Sequence, residues 1–300
     1  MIKLSVCIPV YNFDVRELVN ALKKEIVKRN LSAEIILIDD SSEVFFVSLN
    51  SEIQHVVDGF ILLKENIGRS KIRNLFLKHA QGQYFLFLDC DGKLIQECFL
   101  ENYFNFILRN PDCTSIYGGR KVSLLPPNQS YFLRWKFAVE RENLSLEKRK
   151  KNPYLSFQTN NFVIKKEILE KILFNEAYTN YGYEDLLFAM DLKSENVIIN
   201  HIENPILNND VETNEVYLEK VKESVDSLSS MLKYGVVRER LSSIKLVKTF
   251  IAFDFFPFNF LIIFLFKFSS DFLERKLLKG NQSLRYLDLY KLGMLFKLMK

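Results

Sequence analysis

The chain has 300 residues, room for one large domain or two small ones. Hydrophobic residues make up 48% and charged residues 26%, which excludes a disordered, collagen-like or small disulfide-stapled protein. A net charge of +4 does not by itself argue for a nucleic-acid partner. The four cysteines form no CxxC pair and only three histidines are present, which argues against zinc and for reduced thiols in a cytosolic protein.

Leu4–Val10 reads as a buried strand, and polar Tyr11-Asn12 follows too soon for a signal peptide. Residues 15–29 place Val15, Leu18, Val19, Leu22, Ile26 and Val27 on one helical face. A second apolar strand, 33–38, runs straight into Asp39-Asp40-Ser41-Ser42, and 60–63 is a third. Arg69–His79 is a short helix, and Tyr84–Leu88 is a fourth strand ending at Asp89-Cys90-Asp91. Strand and helix alternating at this rhythm imply βαβ units and an α/β fold with a mostly parallel sheet. Ligands in such sheets sit outside the carboxyl ends of the strands. Tyr11-Asn12, Asp39-Asp40 and Asp89/Asp91 all fall there.

The part from 111 to 210 is less regular. Strands are expected at 115–119, 159–164 and 197–202, and helices at 167–173 and 186–192, the latter opened by Gly182-Tyr183-Glu184-Asp185. The basic, aromatic stretch 131–151 reads as helical in part. Residues 212–234 read as one long amphipathic helix. The tail, 244–300, differs in composition: it carries net charge +6 against −2 for the rest, and ten of the 27 Phe lie in 250–272. Its longest charge-free run, 255–266, would span about 18 Å as a helix, short of the ~30 Å hydrocarbon core. The expectation is a helical extension lying in an anionic membrane interface; the alternative is a helical hairpin packed on its own catalytic domain or on a second subunit.

Asp89-x-Asp91 after a buried strand is a hard-oxygen site suited to Mg²⁺ or Mn²⁺ with a diphosphate as co-ligand. Asp39-Asp40 is suited to a base N–H or ribose hydroxyls, or to capping the following turn. Asn66-Ile67-Gly68-Arg69 leads into a helix whose free amides, with Arg73, suit an anion. No GKS or GKT loop is present, which disfavours Walker-type ATP hydrolysis. Glu184-Asp185 offers a carboxylate that can take a proton from an acceptor hydroxyl, or acids that complement a helix dipole.

Together these segments resemble family 2 glycosyltransferases of the GT-A fold. The matching residues are Ile8-Pro9-Val10-Tyr11-Asn12, Ile38-Asp39-Asp40-Ser41-Ser42, Asn66-Ile67-Gly68-Arg69 with Arg73-Asn74, Phe87-Leu88-Asp89-Cys90-Asp91, and Tyr183-Glu184-Asp185. Asn66–Asn74, Thr159-Asn160-Asn161-Phe162 and 181–188 are similar to a subgroup found in bacterial surface-polysaccharide loci. The resemblance covers residues 3–210 and implies a Rossmann-like domain, its nucleotide-sugar half at 1–110 and acceptor half at 111–210. A long helix at 211–243 and the tail at 244–300 would follow. It implies that Pro9, Tyr11, Asp39 and Asp40 hold base and ribose, with Asn66 in the same donor site. Gly68 and Arg73 would face the diphosphate, and Asp89 the ribose and sugar. Asp91, with Asp89, would ligate Mn²⁺ or Mg²⁺. Asp185 would be the general base, with Glu184 beside it. The implied activity is inverting transfer from a UDP- or GDP-linked sugar to a glycan or lipid-linked acceptor. The implied place is the inner face of the cytoplasmic membrane, with no nucleic acid involved.

One position departs from that pattern. The subgroup places a histidine after the Asn-Pro turn, and here the turn at 204–205 leads to Asn208. His201 is the remaining imidazole for a metal, or a satisfied strand-end histidine. Two rivals follow from the same residues. A nucleotidyltransferase would want a Gly-rich, Lys-bearing loop where Tyr11-Asn12-Phe13-Asp14 stands. A non-catalytic, membrane-associated partner subunit of the same fold is favoured by Asn208 and opposed by Asp89, Asp91 and Asp185.

Overall fold

The structure is a computed structural model that describes residues 3–178, 181–208, 212–280 and 283–300. The chain begins with β1 (Leu4–Val10), α1 (Arg16–Arg29), β2 (Ala33–Asp39), α2 (Val44–Ser51), β3 (Gly59–Leu62), α3 (Arg69–His79) and β4 (Tyr84–Leu88). Shorter elements follow: β5 (Lys93–Leu94), α4 (Phe99–Arg109), β6 (Ser115–Tyr117), β7 (Arg120–Lys121), α5 (Phe132–Phe137), α6 (Leu146–Lys151), β8 (Asn161–Lys165) and α7 (Lys166–Lys171). Next come α8 (Glu184–Ser194), β9 (Ile199–His201) and β10 (Ile206–Leu207). The rest is helical: α9 (Asn214–Leu232), α10 (Gly235–Leu241), α11 (Lys245–Phe253), α12 (Phe258–Leu278) and α13 (Leu284–Leu298).

These elements gather into two units. The first comprises 1–121, 144–179 and 191–209, and the second 122–143, 180–190 and 210–300. The stretches on either side of 110 share one sheet, because β8, β6 and β9 extend it beyond β4. Residues 212–243 and the tail are counted together in the second unit.

The first unit is built on a seven-stranded sheet in the order β3-β2-β1-β4-β8-β6-β9. β1 runs parallel to β2 and β4, β2 to β3, and β6 to β9. β8 alone is reversed, antiparallel to both β4 and β6. A continuous apolar run reads the same in either direction, so sequence gave no sign of that reversal. β1 and β4 sit mid-sheet with both faces covered, and this is why Leu4, Val6, Ile8, Phe85 and Phe87 are all fully buried. The apolar stripe of α1 packs Leu18, Val19 and Leu22 against this core. Val27, expected on that stripe, is 70% exposed: it lies about 140° round the helix from Leu22.

One buried polar link fixes the start of the sheet. Ser5 Oγ donates to Glu34 Oε1 at 2.5 Å and accepts from the Gly82 amide at 2.7 Å. A Cβ on Gly82 would lie 2.6 Å from the Ser5 nitrogen, so only glycine allows this approach. All four cysteines are free thiols.

The second unit packs Leu133, Leu218, Val221, Phe266, Leu277 and Leu287 into its own core. Asn214 ties α5, α9 and the end of α12 together. Its Nδ2 donates to the carbonyls of Gln129 and Leu278, and its Oδ1 accepts from the Leu133 amide. α12 and α13 meet closely at Gly293, where a Cβ would lie 2.2 Å from the Phe266 ring. Among the described residues no single helix is long and apolar enough to cross a membrane. α11 and α12 together pass that test but are bent by 116°.

Candidate active site

In the first unit the site begins with the loops after β1 and β2, which are laced together. Asn12, in the left-handed region at φ 47°, donates its amide to Ser42 Oγ at 2.9 Å. Its Oδ1 accepts from the Glu43 amide at 2.8 Å. Asp39, at the carboxyl end of β2, accepts the Ser42 amide on Oδ1 at 2.7 Å. Its Oδ2 is buried and finds no hydrogen-bond partner among the described residues. A buried carboxylate oxygen without a donor is costly. Tyr11 and Asn66 are exposed and Pro9 is half-buried.

Asp40 is engaged within the fold. Its two oxygens accept the amides of Ile67 at 2.7 Å and Gly68 at 3.1 Å. Burial pushes its carboxyl up from the ordinary value, the two amides oppose this, and the charge of Asp39 adds to it. The amides expected to greet an anion at this turn are thus already used by Asp40. Gly68 has φ 82°, a conformation that favours glycine, and it starts α3.

Arg73 also departs from expectation. It is 2% exposed and lies over the Phe174 ring, 5.6 Å from its centroid. Nη2 pairs with Asp89 Oδ1 at 3.3 Å, and Nη1 donates to the Arg69 carbonyl at 3.2 Å. Instead of reaching for a diphosphate, it holds Asp89 in place. Asp89 is thereby engaged by a guanidinium on one oxygen. Between the two acids, Cys90 has its thiol pushed up to about 12 by burial and by the charges of Asp91 and Asp89, so it stays protonated.

Asp91 accepts Asn208 Nδ2 on Oδ1 at 3.0 Å. Asn208 Oδ1 in turn accepts Asn160 Nδ2 at 3.0 Å, and Asn160 Oδ1 is buried with no partner among the described residues. Asn208, which stands where the resemblance implied a histidine, is thus in direct contact with Asp91. This chain of amides joins the loop after β4 to the residues that flank β8 and β10; both amides stood out in the sequence, Asn160 within a matching segment and Asn208 as the departure, but not their contact. Among the described residues no three His, Cys, Asp or Glu form a metal cage. The donor set nonetheless fits a hard cation of the Mg²⁺ class. Such ions take one or two carboxylates and fill their remaining positions with water and substrate phosphate oxygens.

His201 is not part of that donor set. Nε2 lies 3.0 Å from the Pro153 carbonyl and Nδ1 3.5 Å from Arg149 Nη1. The geometry fits a neutral ring with Nε2–H donating and Nδ1 facing the guanidinium, leaving no lone pair for a metal. Burial, with Arg149 beside it, lowers its pKa to about 4. It is the satisfied strand-end histidine.

In the second unit, Gly182 and Tyr183 both have positive φ and turn the chain into α8. Gly182 sits against α9, where a Cβ would lie 2.5 Å from that of Ser224. Glu184 is buried and its Oε2 accepts the Gly182 amide at 3.0 Å, so it locks this turn. Asp185 is half-buried in the first turn of α8, its Oδ1 accepting the Leu186 amide at 2.8 Å.

The model of the glycosyl transferase family 2 matches residues 5–173, more than half of the chain. The chain belongs to glycosyl transferase family 2. It is 26% identical over 280 residues to a cholesterol galactosyltransferase of Borreliella burgdorferi, covering 85% of this chain and 74% of that one. It is 35% identical over 89 residues to an uncharacterized glycosyltransferase of Rickettsia conorii, and spans only 15% of that relative's length. In fold it is similar to Staphylococcus aureus TarS 1–349, with TM-score 0.56, 18% identity, and coverage of 99% of this chain and 89% of that one. It is also similar to a Pyrobaculum calidifontis mannosyltransferase solved with GDP-Man and Mn²⁺, with TM-score 0.58, 12% identity, and coverage of 100% and 86%. The seven-stranded, mostly parallel sheet with flanking helices is thus the GT-A fold that the sequence motifs implied.

Proposed function

We propose that this glycosyltransferase is an inverting enzyme that moves a sugar from a UDP- or GDP-linked donor to a hydroxyl of a glycan or lipid-linked acceptor in surface-polysaccharide synthesis. The observation that carries the reading is the buried, unpartnered Oδ2 of Asp39, an acceptor awaiting a base N–H or ribose hydroxyl at the carboxyl end of the sheet. The mannosyltransferase solved with GDP-Man, and TarS 1–349, which is also solved in complex with UDP-GlcNAc, support a nucleotide-sugar donor. Pro9, Tyr11 and Asn66 belong to the same donor site, and Asp40 and Gly68 shape it.

Asp91, steadied by Asn208, would hold a Mn²⁺ or Mg²⁺ ion. Such an ion, when bound, neutralises charge developing on the leaving phosphate. Asp89, held by Arg73, faces the ribose and sugar. Asp185 takes the proton from the acceptor hydroxyl as it attacks the anomeric carbon, and Glu184 fixes the turn that presents it. A peripheral position at the inner face of the cytoplasmic membrane fits a lipid-linked acceptor.

The test is calorimetry and transfer assays with UDP- and GDP-sugars, with and without Mn²⁺. Asp185→Asn is expected to keep donor affinity and lose transfer by about 10²–10⁴-fold. Asp91→Ala is expected to lose Mn²⁺-dependent donor binding. Wild-type turnover in either variant contradicts the assignment. The Asn208 contact to Asp91 favours a second reading, a non-catalytic partner subunit. Folded protein that neither binds nor hydrolyses any nucleotide sugar would support it.

A further inference from the structure

α12 is apolar all round in its first half, yet only one side of it is covered. Phe266, Leu273 and Leu277 face the core of the second unit. Of the ten Phe in residues 250–272, eight are exposed and only Phe250 and Phe266 are buried. Phe260, Phe264, Phe268 and Phe272 recur every four residues and so form one stripe. Phe255 and Phe256 stand at the bend between α11 and α12, with Phe256 78% exposed. Monomeric soluble proteins rarely leave an apolar face this continuous open to water.

The surroundings of the stripe are basic. Lys248, Lys267, Arg275, Lys279 and Lys300 are exposed, and the Lys300 ammonium lies 4.4 Å from the Phe260 ring centroid. Of the acids here, Asp254 is paired with Arg238 at 3.3 Å, and Asp271 is exposed near the far end of the stripe. The tail's net +6 sets two copies of this face against each other but suits an anionic surface. The 116° bend keeps α11 and α12 from forming one straight span.

We infer that the exposed face of α11 and α12 docks on an anionic lipid bilayer, with the Phe at the bend and along the stripe entering the interface. It deepens the peripheral-membrane part of the reading above, and rests on that reading for its purpose but not for its chemistry. Embedding Phe side chains supplies affinity, and the lysines and arginines add attraction to acidic headgroups.

The test is flotation of the full chain with phosphatidylglycerol–phosphatidylcholine vesicles and with phosphatidylcholine alone. Binding to the acidic vesicles is expected, weakened by high salt. The combined variant Phe256→Ser, Phe264→Ser, Phe268→Ser is expected to lower partitioning by about a hundredfold or more, with an unchanged melting temperature. No flotation of the parent chain overturns the proposal, as does a variant that floats like the parent. A light-scattering mass that halves on substitution, with vesicles ignored, overturns it in favour of a second copy on this face. Donor hydrolysis measured on the same samples separates the two readings. A parent chain that hydrolyses donor but does not float counts against this surface alone, and a parent chain that floats but does not hydrolyse donor counts against the donor site alone.

Discussion

Arg73 and Asp89 form a lopsided pair, and removing each partner has a different cost. The guanidinium is 2% exposed, whereas the Asp89 side chain is 31% exposed. Asp89→Ala leaves a buried cation with the Arg69 carbonyl and the Phe174 ring for company. Breaking a buried pair in this way costs about 3 kcal/mol. Arg73→Met keeps most of the stem's packing and leaves a carboxylate that water can reach, at about 1–2 kcal/mol. For a unit of this size that corresponds to melting-point losses of about 6–12 °C for Asp89→Ala and about 2–8 °C for Arg73→Met. The double variant should cost less than the sum of the two, with a coupling of about 1–2 kcal/mol. Thermal melts of the four proteins, in one buffer without nucleotide, measure the cycle. If Arg73→Met proves the more damaging substitution, or if the two effects simply add, Arg73 does not hold Asp89 as described.

Two other substitutions probe neighbouring features. Asn208→Ala should free Asp91 from its orienting amide and weaken Mn²⁺-dependent nucleotide binding about tenfold, the usual scale for a group that positions a metal ligand. An unchanged affinity by calorimetry would remove Asn208 from the site. His201 has a pKa lowered to about 4 from 6.5. Between these values the unfolded chain binds a proton that the folded chain does not, so stability falls as pH drops from 6.5 to 4, by about 3 kcal/mol in all. His201→Phe should flatten this part of the melting-temperature profile and leave Mn²⁺ affinity unaltered; a slope that persists in the variant assigns the titration elsewhere.

Much of this protein was already determined by its amino-acid order. The runs 4–10, 33–38 and 84–88 are apolar but for Ser5 and Glu34, and strands covered on both faces read this way. The acids at 39–40 and 89–91 follow these runs directly, so their place at the carboxyl ends of the strands was local information. The Phe-rich, basic tail was equally legible, because composition alone separates it from the rest. Partnership was not legible. The reversal of β8, the two Asp40 oxygens spent on Ile67 and Gly68, the burial of Arg73 against Phe174 and the Asn160–Asn208–Asp91 chain all join residues 27 or more positions apart. Periodicity reports which face of an element is apolar but not which distant donor a buried carboxylate will meet. That choice is made by packing, since a buried polar atom must find its partner wherever the fold brings one within reach.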